Sequence, residues 1–122
     1  MSSSHKERRS RVASLKVTRM GNSLSEVIFY SDGYIVHKRF SGFGKPQADE
    51  YAVAGAIANV TDDVSGYRNQ HHEVTVTIRF ADGGEIIHPM EAKGKAGRRL
   101  HAEALSFAGS VNSAASMASA LG

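Results

Sequence analysis

The chain of 122 residues suits a single domain, and its hydrophobic fraction of 41% is ordinary for a globular protein. It contains no cysteine, which excludes a disulfide framework, a thiolate metal site and a cysteine nucleophile, and which fits a reducing compartment. Because no run of about 18 apolar residues and no apolar signal-peptide stretch is present, we predict no membrane span and a cytoplasmic location.

Positive charge is concentrated at the N-terminus. Residues 1–20 hold six basic side chains and one acidic one, a net charge of +5, whereas the remainder holds nine basic and eleven acidic ones, a net charge of −2. We predict a flexible basic arm over residues 1–11 and one domain over residues 12–122. The arm residues that could contact an anionic partner are Arg8, Arg9 and Arg11. The alternative is a solvated tail without a partner.

Three strands are predicted in the first 40 residues, over 12–19, 24–30 and 34–40. The second and third are joined by a tight turn at Ser31-Asp32-Gly33, because glycine adopts the positive φ that such turns require. Residues 41–47 are rich in glycine and proline and are predicted to be a connector. They lack the spacing of a phosphate-binding loop.

Residues 48–70 carry weaker signals. Asp49 and Glu50 suit the start of a helix, so the first half of 48–60 is interpreted as a possible short helix. Residues 54–60 are more typical of a strand. The side chains expected to face inward on it are those of Ala56, Ala58 and either Val60 or Ile57. Residues 62–70 are predicted to be a polar loop.

The clearest pattern is a hairpin over residues 74–88. Apolar and polar residues alternate over 74–80, which places one apolar face on a core. The residues of that face are Val74, Val76, Ile78 and Phe80. The sequence Asp82-Gly83-Gly84 then predicts a hairpin turn before a further strand.

A long amphipathic helix is predicted from about residue 96 to the C-terminus. Apolar residues recur there at steps of three and four, and the end of the segment is rich in alanine and serine. Such a helix exceeds the length of a small sheet, so its end is predicted to meet a second copy of the chain or another protein. The residues predicted to make these contacts are Phe107, Val111, Met117 and Leu121.

Several strands followed by one helix predict an α+β domain, a curved antiparallel sheet of about five to seven strands with a C-terminal helix. The span from residue 54 to 115 resembles small pleckstrin-homology-like domains of actinobacterial and phage type. The resemblance rests on Gly55-Ala56, on Val74-Thr75-Val76-Thr77, on Asp82-Gly83, and on Ala104, Phe107 and Asn112. It implies a binding or scaffolding module and brings no catalytic residue with it.

No motif for catalysis or metal binding is found. The six histidines lack the spacing of a metal site along the chain, and His72 at the start of a strand is interpreted as part of a solvated edge. Adjacent acids do not make a general acid–base pair across a cleft, and no Gly-x-Ser-x-Gly elbow is present. We therefore predict a protein that is not an enzyme and that needs no cofactor and no metal.

One basic segment is a candidate binding site for an anionic partner. Residues 93–99 combine two glycines with four basic side chains at the expected helix start, where free amides bind anions. The candidate contacts are Lys93, Lys95, Arg98 and Arg99. The alternative is a flexible linker.

Two classes of function follow. The preferred one is a protein-interaction module, acting through sheet edges and the long helix or by oligomerisation. The second is a nucleic-acid-binding accessory protein that uses the basic arm and residues 93–99. The first is preferred because the body is slightly acidic and no aromatic platform stands among the basic residues.

Overall fold

The computed structural model describes residues 9–19, 22–40 and 45–121, apart from the side chains of residues 19, 22, 23 and 121. The described elements follow one another as seven strands and a helix: β1 (Arg11–Arg19), β2 (Asn22–Tyr30), β3 (Tyr34–Arg39), β4 (Gln47–Ala52), β5 (Ile57–Ser65), β6 (His71–Arg79), β7 (Glu85–Lys93) and α1 (Gly94–Leu121). The predicted α+β class, with one long C-terminal helix, is confirmed.

The strands form two antiparallel sheets, one with the order β1-β2-β3-β4 and one with the order β5-β6-β7. Among the described strands the two sheets do not join into a closed barrel. The predicted turn between β6 and β7 is present. Gly83 adopts a φ of 94°, and its N–H donates to the carbonyl of Phe80 at 3.0 Å. The carboxylate of Asp82 accepts from the N–H of Gly84 at 2.7 Å, which stabilises the turn.

One hydrophobic core lies between the two sheets and the helix. The predicted face of β6 is confirmed, since Val74, Val76 and Ile78 are fully buried. The helix packs mainly on β5 and β6 and also reaches β7 and β1. The first sheet contributes Leu15, Val27, Phe29 and Ile35 to the same cluster, and the helix contributes Ala104, Phe107, Ala108, Val111 and Ala115.

The first correction concerns residues 47–52, which form strand β4 and not a short helix. They pair in register with β3, from Arg39 opposite Gln47 to Tyr34 opposite Ala52. The ring of Tyr51 stacks on that of Phe80, with 4.3 Å between the centroids. Pairing with β3 and this aromatic contact outweigh the weak helix-start signal, which is local.

Two further boundaries differ from the prediction. The expected polar loop over 62–70 is shorter, because β5 continues to Ser65 in register with β6. The helix begins at Gly94, directly after β7 and two residues before the expected start. Gly94 has a φ of 57°, and its N–H donates to the carbonyl of Gln70 at 2.8 Å. Glycine therefore allows a strand to pass into a helix without a loop.

Candidate interaction surface along the β5 edge

Some basic residues of the predicted N-terminal arm lie outside the described residues, and the others belong to the folded sheet. Arg8 lies outside the described residues. The side chain of Arg9 is 11% exposed, and its guanidinium pairs with Asp32 and with Glu50 at 2.6 Å each. The guanidinium carbon also lies 4.3 Å from the centroid of the Tyr30 ring, a cation–π distance. Arg9 is thus held on the sheet with its charge already compensated.

Arg11 is likewise part of the fold. It begins β1, and its guanidinium pairs with Glu26 at 2.8 Å. The Glu26 side chain is only 7% exposed, so this ion pair compensates a buried carboxylate. Arg9 and Arg11, which were assigned to the predicted arm, are therefore part of the folded sheet.

The basic residues near the helix start are exposed. These residues are Lys93, Lys95, Arg98 and Arg99. No hydrogen bond or ion pair joins their side chains to the described part of the chain, and the first helical turn contains no acid. Of the four, Arg99 lines a cleft of about 340 Å³ together with Lys16, at the ends of β1 and β7 beside α1.

The arm and the helix start are far apart. Arg9 precedes β1, whereas Lys16 lies toward its far end, beside the first turns of α1. Seven residues of extended chain separate the two, which corresponds to roughly 23 Å. The structure therefore does not bring the two predicted basic groups together on one compact surface.

The helix residues that were predicted to contact a partner differ in their exposure. Phe107 is 2% exposed and Val111 fully buried, and both belong to the core, so their prediction as partner contacts is wrong. They face the sheets because the apolar stripe of the helix is what covers the core. Met117 is 66% exposed and is available for contacts, and the Leu121 side chain lies outside the described residues. Because Ala115 is still buried, only the end of the helix extends beyond the core.

A different feature joins the helix to a sheet edge. The side-chain amide of Asn112 donates to the carbonyl of Ala58 at 2.9 Å, and its side-chain oxygen accepts from the Ala58 N–H at 2.8 Å. This helix side chain thus satisfies both backbone groups of an edge residue of β5, as a neighbouring strand would. Asn112 was among the residues on which the family resemblance rested, but its role could not be read from the sequence.

The edge of β5 continues beyond Ala58. In an antiparallel strand, the N–H and C=O of every second residue point to the same side. Since Ala58 directs both groups away from β6, the next residues to do so are Val60, Asp62 and Val64. No hydrogen bond within the described residues occupies the backbone groups of these three on that side. An edge with free donors and acceptors is a template for pairing with another chain.

The helix runs beside this open edge. His101 contacts Asp62 near one end of it, and Asn112 contacts Ala58 at the other. Leu105, four residues after His101, lies on the same side of the helix and is 52% exposed. Val64 on the strand is 42% exposed. We call the strip between residues 60–64 of β5 and residues 101–112 of α1 the β5 groove; it offers the free backbone groups of the strand edge and the exposed apolar side chains of Val64 and Leu105.

Two histidines, of which one is buried and one is partly exposed, contact the same carboxylate at one end of the groove. The Nδ1 atom of His72 lies 2.9 Å from Asp62 Oδ2, and that of His101 lies 3.1 Å from the same oxygen. His72 is 5% exposed, so its interpretation as part of a solvated edge is wrong. Its ring packs against Gly97 of the helix, where a Cβ atom would overlap it. The signal was present, because His72 continues the inward alternation of β6 one step before Val74.

A serine–histidine pair lies between the two sheets. The Oγ atom of Ser25 is 2.9 Å from Nε2 of His88, and the His37 ring meets the His88 ring edge-on at 6.0 Å. Burial, with a smaller contribution from His37, lowers the pKa of His88 to about 4, although an interaction with the backbone of Ser25 opposes this. Such an imidazole is a weak base at neutral pH, and its Nδ1 atom is buried with no hydrogen-bond partner among the described residues. We interpret the pair as a polar link between the sheets.

Comparison with family models, with curated proteins and with solved structures found no match for this chain. No helix in the described part of the chain has the length and apolar character needed to span a membrane.

Proposed function

We propose that the chain is a non-enzymatic protein-binding module that takes an extended segment of a partner into the β5 groove. The observation that carries this proposal is the capping of Ala58 by Asn112, beyond which the same edge continues unpaired. A partner segment added there would extend the β5-β6-β7 sheet by one strand. The order of four plus three strands with a C-terminal helix also supports the pleckstrin-homology-like assignment, which remains part of the proposal together with a cytoplasmic location.

The groove sets the chemistry of the segment. Free N–H and C=O groups of β5 favour an extended backbone, which supplies affinity irrespective of sequence. The exposed parts of Val64 and Leu105 favour apolar side chains at alternate positions of the segment. Asp62 is already engaged by two histidine rings and is therefore not expected to recognise a cation of the partner.

A matched pair of helix variants tests the site. Peptides are selected from a random display library against the intact chain, and their affinities are measured by fluorescence anisotropy. Leu105→Glu should weaken binding, because it places a charge in the groove. Met117→Glu changes another exposed apolar residue of the same helix, outside the groove, and should leave the affinity unchanged.

A second pair tests the strand edge. Val64→Pro removes an outward N–H of β5 and should lower peptide affinity, whereas Ile87→Pro makes the same change on β7 and should not. Amide chemical-shift changes on peptide addition should fall in β5 and in the first half of α1. The proposal fails if the library yields no binding peptide, or if neither Leu105→Glu nor Val64→Pro changes the affinity for the selected peptides.

Self-association is a form of the same function, since the segment could come from a second copy. Light scattering over a range of concentrations distinguishes the two cases. A dimer through the groove should dissociate when a selected peptide is added. If the measured mass equals that of one chain at every concentration, the segment that binds the groove comes from a different protein.

Nucleic-acid binding is kept as a second candidate because the basic residues near the helix start have no partner among the described residues. Replacing Lys95, Arg98 and Arg99 by alanine should then reduce DNA or RNA affinity and its dependence on salt. Arg9→Ala should lower the stability of the fold and leave nucleic-acid affinity unchanged, because Arg9 is paired within the fold. Absence of a mobility shift at low salt would exclude this candidate.

A further inference from the structure

The outer face of the second sheet, opposite the helix, carries three carboxylates side by side. Asp63 stands opposite Glu73 in the pairing of β5 with β6, and Glu73 stands opposite Glu91 in the pairing of β6 with β7. Directly opposed residues of an antiparallel pair point to the same face, where like charges repel. No ion pair within the described residues joins Asp63 or Glu73 to a cation. The fold thus concentrates negative charge at one exposed position.

A histidine completes this group. His71 precedes Glu73 by two residues on β6 and shares its face, and the Nε2 atom of His71 lies 3.1 Å from Glu91 Oε2. One nitrogen of His71 and one oxygen each of Glu73 and Glu91 all lie within 4.8 Å of one another. We propose that His71, Glu73 and Glu91 bind a divalent transition-metal ion such as Zn²⁺.

The distances suit such an ion. Two ligand atoms at about 2.1 Å from a tetrahedral Zn²⁺ lie roughly 3.4 Å apart. The separation of 3.1 Å between His71 Nε2 and Glu91 Oε2 is close to this value, and the other pairs of ligand atoms lie within 4.8 Å of each other. Glu73 and Glu91 also line an open depression of about 280 Å³, which leaves room for a water ligand.

The ligand set selects the class of metal. An imidazole with two carboxylates favours Zn²⁺ and its neighbours, whereas Ca²⁺ and Mg²⁺ prefer an all-oxygen set. Asp63 adds negative charge to the site, and Lys93, opposite His71 in the next row, adds one positive charge. Spacing along the chain predicted no metal site, because two of these ligands are brought to the third by pairing between strands.

Titration with ZnCl₂ by calorimetry tests the site, with the full chain carrying His5→Ala so that the N-terminal segment contributes no imidazole. The expected result is saturable binding of one ion and a rise in Tm with Zn²⁺. His71→Ala or Glu91→Gln should each lower the affinity by at least about tenfold. Circular dichroism without metal confirms that the variants are folded, as expected for side chains on an exposed face.

Two control variants locate the ion. Glu85→Gln changes a carboxylate on the same face of β7 that pairs with Arg79, and it should leave Zn²⁺ affinity unchanged. His101→Ala, which alters the other histidine–carboxylate cluster, should do the same. The absence of saturable binding would overturn the inference, as would binding that survives His71→Ala. Loss of binding in His101→Ala alone would also overturn it, since the ion would then lie at Asp62. The peptide-binding proposal is independent of all these outcomes, because the β5 groove lies beside the helix.

Discussion

The free energy of unfolding is expected to fall in mild acid because of His88. Burial lowers the pKa of this side chain from 6.5 to about 4. Between these two values the unfolded chain binds a proton that the native chain does not, so lowering the pH favours unfolding. Each pKa unit corresponds to about 1.4 kcal/mol, so the full effect amounts to about 3 kcal/mol by pH 4. Burial and Arg39 also lower the pKa of His37, which adds in the same direction.

Urea denaturation at a series of pH values from 7.5 to 4.5 measures this fall. His88→Gln retains a group that can hydrogen-bond to Ser25 but does not titrate, so most of the fall should disappear in this variant. His101→Gln removes a more exposed histidine, and this variant should show the same fall in the free energy of unfolding as the parent. If His88→Gln and the parent lost the same free energy over this range, the reasoning from burial would be refuted.

Three further predictions concern packing. Phe107→Ala should lower the free energy of unfolding by about 3–5 kcal/mol, because it leaves a cavity in the core; equal thermal stability of variant and parent would contradict its placement. Gly97→Ala should destabilise the chain, since the added methyl group would overlap the ring of His72, whereas Gly109→Ala meets open space and should stabilise the helix by up to about 1 kcal/mol. Thermal melts of the two glycine variants that shift in the same direction would contradict this packing. Asn112→Ala should cost about 1–3 kcal/mol through the loss of two hydrogen bonds to the strand edge, and amide exchange at Ala58 should become faster in that variant.

The candidate surfaces were only partly predictable from the sequence. Arg98 and Arg99 were selected from their charge as contacts for an anionic partner; both are exposed, and their role in binding stays a prediction. The β5 groove was not predicted, because an open edge is a property of strand order and not of any residue in the strand. Likewise, the proximity of His71 to Glu91 depends on a register that links positions 20 residues apart.

Short-range patterns determined much of the architecture. Alternation over 74–80 and the turn at Asp82-Gly83 specified the central hairpin, and steps of three and four specified the helix, because side-chain direction repeats with the local backbone geometry. Tertiary structure alone decided the rest. Residues 47–52 form a strand because they pair with β3, and the buried His72 ring is held through its Nδ1 atom by the carboxylate of Asp62. Both outcomes depend on groups distant in the chain, whose hydrogen bonds and contacts outweigh local preference once the sheets assemble.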